Sequence, residues 1–112
     1  MNPKLNKDHV EYLYRAILSI KDLSECDKFF DDLCTVTELK ALSQRFLVAK
    51  MLRDKKVYSD IVDETGASTA TISRVNRSLN YGADGYTVVF ERLDKEDDSV
   101  WFRVFHLLWF FN

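Results

Sequence analysis

The chain has 112 residues, enough for one small domain with a modest core. It is 46% apolar and 30% charged, with three Gly and one Pro, the composition of an ordinary globule built mostly from helix. Its formal net charge of −2 excludes bulk basic character, so any nucleic-acid function must rest on a local patch.

Two cysteines, Cys26 and Cys34, lie eight residues apart, and His9 and His106 stand near opposite ends. No four-ligand metal spacing results, and no metal is expected. No apolar signal region follows Met1, so the chain reads as cytoplasmic.

The first amphipathic helix is expected from about Lys7 to Ile20, with Val10, Leu13, Tyr14 and Ile17 on one side. Ser24 precedes Asp27 by three residues, a capping-box-like start for a second helix carrying Phe29, Phe30 and Leu33. Thr35 and Glu38 form a cleaner box and open the longest helix. There Leu39, Leu42, Phe46, Ala49 and Met51 or Arg53 carry the pattern to about Asp54. Asp54 to Lys56 reads as a solvated turn.

A short helix follows, about Ser59 to Glu64, burying Ile61 and Val62. Gly66 supplies the relaxed backbone of a tight turn. Ser68 or Thr69 caps the next helix, which runs to about Leu79 with Ile72, Val75 and Leu79 inward, until Tyr81, Gly82 and Gly85 break it. Over Tyr86 to Leu93, Thr87, Val88 and Val89 favour a strand, whereas Tyr86, Val89, Phe90 and Leu93 recur at helical spacing. Helix is preferred, because nothing else in the chain offers a strand to pair with. Asp94 to Asp98 reads as a charged break.

The last segment, SVWFRVFHLLWFFN over 99–112, is too short to span a bilayer, which needs about 20 apolar residues. It is set apart from a domain over 1–98. Two readings stay open for it: burial against a partner subunit, or a tail that barely touches the fold.

The informative stretch is YSDIVDETGASTATISRVNRSL, a short helix, a Gly turn and a second helix. Ile61 and Val62 must pack on Ile72 and Val75, which spells a helix-turn-helix and leaves the start of the second helix projecting. Its side chains are short enough to let the backbone sit in a major groove roughly 12 Å wide. Ser68, Thr69, Ala70, Thr71, Ser73, Asn76, Arg77 and Asn80 are therefore the candidate DNA-binding residues. Residues 67–80 contain no acid. Upstream, Arg45, Lys50, Arg53, Lys55 and Lys56 against Asp54 give a local +4, while 22–38 and 84–98 are acidic. Such uneven charge is the footprint of a DNA reader. Asp60, Asp63 and Glu64 on the first helix would repel a phosphate backbone if they faced it.

Thr35-x-x-Glu38, Ala41-Leu42, Arg45 and GASTATISRVNRSL together resemble the Trp repressor superfamily. Over roughly residues 8 to 93 the chain is similar to the Trp-repressor-related YerC/YecD family. The resemblance implies an all-α, Trp-repressor-like helical bundle with a helix-turn-helix, assembled as an intertwined homodimer. Its implied function is a sequence-specific transcriptional regulator, most simply a repressor, on a palindromic double-stranded operator. The positions matching the family's ligand pocket are Thr35, Arg45, Arg74 and Ser78. The sequence departs at Val75, where the amino-acid-sensing repressor has Gly lining the indole slot. Filling a packed slot costs about 1–3 kcal/mol, so tryptophan is not expected as corepressor; no cofactor is assigned, and a smaller anion or amino acid stays open as effector. Arg45 and Arg74 are expected to pair with acids such as Asp31 or Glu38 instead.

The competing function is a protein-interaction module that uses the same helical fold without DNA. No enzyme is expected: neither histidine nor either thiol has an acid–base companion at meaningful spacing, and no Gly-rich phosphate loop occurs.

Overall fold

The computed structural model describes residues 4–96, so the segment 99–112 lies outside the described residues. Among those residues the secondary structure is entirely helical. The helices are α1 (Lys7–Leu18), α2 (Leu23–Leu33), α3 (Val36–Arg53), α4 (Tyr58–Thr65), α5 (Thr69–Tyr81) and α6 (85–96). The chain divides into two compact units, Met1–Ala41 and Leu42–Asn112, with the boundary inside α3.

In the first unit the helix starts are fixed by side-chain caps. Asn6 Oδ1 accepts the N–H groups of Asp8 at 3.0 Å and His9 at 3.1 Å, satisfying donors that α1 cannot. The helix ends at Leu18, two residues short of the expected Ile20. The start of α2 also differs from expectation. Its cap is Asp22, not Ser24: Asp22 Oδ1 accepts the Glu25 N–H at 2.8 Å, and Glu25 Oε1 accepts the Lys21 N–H at 3.0 Å. A Glu reaches back over the first turn, whereas Asp27 is one methylene shorter and lies deeper in the helix. At α3 the expected reciprocal pair is present. Thr35 Oγ1 accepts the Glu38 N–H at 3.1 Å, and Glu38 Oε1 accepts the Thr35 N–H at 2.9 Å. Hydrogen bonds from the Thr35 backbone and then its side chain hold the Glu38 carboxyl below its ordinary value. No residue of α1 or α2 is buried.

The second unit holds the core. Val48, Ala49 and Met51 of α3 pack with Ile61, Ala67, Ile72, Val75 and Phe90, and Leu52, Val62, Tyr86 and Leu93 close around them. The α3 pattern is thus only partly as expected. Ala49 and Met51 are buried and Val48 joins them, but Leu39, Leu42 and Phe46 remain about 40% exposed.

After Arg53 the chain turns through Asp54 and Lys55, with Lys55 at φ 64°, and exposes Asp54 to Lys56 as a solvated turn. At the next junction the Gln44 amide donates to the Thr65 carbonyl at 3.1 Å, tying α3 to the end of α4.

The segment that wavered between strand and helix is α6. Its Tyr86 and Phe90 rings stack with Phe46 of α3 at 6.3 and 5.0 Å. Rings four residues apart reach one neighbour only from a helix, which is why the helical period prevails. Asp94 to Glu96 continue α6 and form no break. Asp94 is held by Arg53 at 2.7 Å, and the Arg53 guanidinium lies 5.3 Å from the Phe90 ring centre.

Candidate nucleic-acid interface

Helices α4 and α5 pack against each other around Ile61, Ile72 and Val75, all essentially buried, with Val62 partly so. The turn between them needs Gly66, whose φ of 70° is left-handed. Gly66 N–H donates to the Val62 carbonyl at 2.9 Å, closing α4. Ala67 is buried as well, a contact for which a lone alanine in a turn gives no periodic signal.

Ser68 caps α5. Its Oγ accepts the Thr71 N–H at 3.1 Å and lies 3.0 Å from Thr71 Oγ1, so the two hydroxyls are paired. Burial of Ile72 and Val75 turns the opposite side of the helix outward. Ser68, Thr69, Ala70, Ser73, Arg74, Arg77, Ser78 and Asn80 are exposed, while Thr71 and Asn76 are half-buried. The Asn80 amide donates to the Asn76 carbonyl at 2.9 Å and to its Oδ1 at 3.0 Å, so its donors are already engaged within the helix. Neither Arg74 nor Arg77 has a carboxylate within ion-pair distance among the described residues.

The upstream basic run is less free than its sequence implies. Lys50 Nζ lies 3.2 Å from Asp54 and 4.0 Å from Asp94, and Arg53 is bound to Asp94. Arg45, Lys55 and Lys56 remain exposed, as do Asp60, Asp63 and Glu64 on α4. Formal charge over a segment counts residues, but partners 41 positions away cancel it in space.

Of the candidate pocket residues, Thr35 belongs to the first unit and its hydroxyl is used in the α3 cap. Arg45, Arg74 and Ser78 lie in the second unit, all exposed. Within the second unit neither Arg45 nor Arg74 lies within ion-pair distance of a described carboxylate, and within the first unit the Glu38 carboxylate is engaged by Thr35. Ser78 lines an apolar groove with Phe46, Tyr86 and Val89, and Val75 is buried in the core. Among the described residues no group of three or more His, Cys, Asp or Glu is arranged to hold a metal, and no helix is long and apolar enough to cross a membrane.

Among the described residues, an all-helical architecture whose core supports a helix-turn-helix defines the class. Residues 8–94 match the family described as Trp repressor protein. The chain belongs to that family. It is 52% identical over 94 residues to the uncharacterized protein YerC of Bacillus subtilis (strain 168), covering 84% of this chain and 90% of that one. A crystal structure of a TrpR-like protein from Eubacterium eligens ATCC 27750 superimposes with a TM-score of 0.79 at 64% identity, over 83% of this chain and 96% of that one. A Staphylococcus aureus protein solved as a candidate Trp repressor gives a TM-score of 0.77 at 50% identity, over 81% and 91% of the two chains.

Proposed function

We propose that the protein is a cytoplasmic, homodimeric, sequence-specific DNA-binding regulator of transcription, not a catalyst. The observation that carries this reading is the outward side of α5: acid-free, with unpaired Arg74 and Arg77, braced from behind by buried Ile72 and Val75. Short Thr and Ser side chains let that helix approach base edges, and the guanidinium groups supply phosphate or guanine contacts. Two such helices related by a dyad would address half-sites about one DNA turn apart, the geometry of a palindromic operator.

The dimer is supported by what the single chain leaves uncovered. Leu18, Leu23 and Val36 are each more than 80% exposed, and nothing in α1 or α2 is buried. No corepressor is required in this reading. The reading rests on the Val75 that stands where the tryptophan-sensing repressor has Gly, a larger side chain that would crowd a flat indole.

Selection of bound duplexes from a random pool, with and without amino acids, tests these points. A symmetric pair of half-sites is expected, unchanged by L-tryptophan. On the selected duplex Arg77→Ala should cost about 1–3 kcal/mol, roughly a 5- to 150-fold loss of affinity, with Thr71→Ala weaker in the same direction. Wild-type binding should fall steeply with salt as phosphate contacts release counterions. Folded protein that retards no DNA at low salt would overturn the assignment.

A further inference from the structure

Thr69, Ser73, Asn76 and Asn80 recur along α5 at intervals of four, three and four residues, which sets them in one uncharged row beside the outward Arg77. The last two are joined. Asn80 Nδ2 donates to the Asn76 carbonyl at 2.9 Å and to Asn76 Oδ1 at 3.0 Å. This clasp fixes which way both amides point. A backbone carbonyl only accepts, so the Asn80 atom beside it must be the nitrogen. That nitrogen only donates, so the Asn76 side-chain atom it meets must be the oxygen. Both amide N–H groups of Asn80 are then engaged inside the helix, and its side chain is left with acceptor character alone. Asn76 is left the opposite way. Its oxygen is turned toward Asn80, its amide nitrogen lies on the other branch of the planar group, and among the described residues that nitrogen has no hydrogen-bond partner.

We propose that the two asparagines divide one task, which rests on the reading of α5 as the DNA-binding helix: Asn76 touches the duplex, and Asn80 is a positioning residue that holds the Asn76 amide with its nitrogen presented. A free asparagine can turn either its oxygen or its nitrogen to a partner. A clasped one offers donors only, so its target must be a hydrogen-bond acceptor of the duplex, either a phosphate oxygen or an acceptor on a base edge. The amino groups of cytosine and adenine are refused. Holding the side chain before DNA arrives also removes part of the ordering cost that binding would otherwise carry. Asn80 itself is ill suited to the phosphate backbone, because the oxygen it has left would be repelled there. The two residues, alike in sequence, thus take unlike roles.

A double-mutant cycle, run with the full chain on a duplex selected by the parent, tests this division. Asn76→Ala should weaken binding about 3- to 10-fold per half-site, the loss of a hydrogen bond. Asn80→Leu keeps a similar size but removes the amide, and should weaken binding about 2- to 5-fold by freeing Asn76. Circular dichroism should show both variants as helical as the parent. In the Asn76→Ala background Asn80→Leu should change nothing, because no amide is left to hold. Duplexes altered one base pair at a time then locate the acceptor. Equal weakening of all of them by Asn76→Ala marks a phosphate oxygen, and lost discrimination at one base pair marks a base edge; either agrees with the proposal. Additive losses in the cycle would make Asn80 a separate contact or a helix brace and overturn it, as would Asn76→Ala protein that binds like the parent. In both cases the parent's own binding leaves the regulator reading standing. A folded parent that selects no duplex would instead overturn that reading, and the roles of both asparagines with it.

Discussion

Gly66 and Gly85 differ in backbone conformation and not in what a side chain would meet. Gly66 has a left-handed φ of 70°, and a Cβ there would touch nothing within 4 Å, so any cost of substitution is conformational. Gly66→Ala should lose about 1–2 kcal/mol, lowering the midpoint of a thermal melt by several degrees. Gly85 makes the control: its φ is not left-handed and its surroundings are open, so Gly85→Ala should gain about 0.4–1 kcal/mol by restricting the unfolded chain. If both alanines move the melt in the same direction, the conformational account of Gly66 is wrong. Residue-scale features of this kind were legible where they are local. Gly66, the Ser68 cap and the Thr35–Glu38 box all follow from spacings of a few positions. The cap of α2 was displaced because two acid-bearing boxes overlap within six residues, and only the side-chain reach of Glu25 separates them.

Between elements, α3 and α6 are joined by a ring stack and an ion pair, and neither could be read from local pattern. Phe46, Tyr86 and Phe90 stack with centroids 5.0–6.3 Å apart, and Arg53 closes over Phe90 while binding Asp94. Periodicity announced α6 as apolar at helical spacing, but the partner of Asp94 lies 41 residues upstream, beyond any local signal. The Arg53 hydrogen bond holds the Asp94 carboxyl below its ordinary value, with the Arg53 and Lys50 charges adding to it and partial desolvation opposing. A depressed carboxyl contributes stability above its unfolded value, about pH 4, and loses it as pH falls through the lower folded value. Asp94→Asn should therefore melt lower than the parent at neutral pH. The gap should close as both are acidified well below pH 4. Because the pair is solvent-accessible, the neutral-pH gap should also narrow in high salt. A gap that persists unchanged in strong acid would assign the loss to packing of the asparagine, not to the charge pair.

At the scale of the whole molecule the decisive feature is α3, which is apolar on more sides than one chain covers. Val48, Ala49 and Met51 face the core, yet Leu39, Leu42, Phe46 and Leu47 on the same helix stay about 40% exposed. A helix apolar around most of its circumference belongs inside a core, and the first unit has no buried residue in α1 or α2 with which to provide one. The sequence displays these leucines plainly but does not say which of them its own chain covers; that division depends on packing across the chain. In the dimer reading a second copy supplies the missing layer, so assembly and helix stability become one equilibrium. Leu42→Asp puts a charge into that layer without touching the core of the second unit. It should convert a sedimenting dimer to monomer at equal concentration and lower the melt. It should also weaken binding to a two-half-site operator far more than to an isolated half-site, because only the former profits from linked reading heads. A parent protein that sediments as a monomer at the concentrations where it binds DNA would remove the second copy from the explanation. The exposed leucines would then need a partner of different sequence.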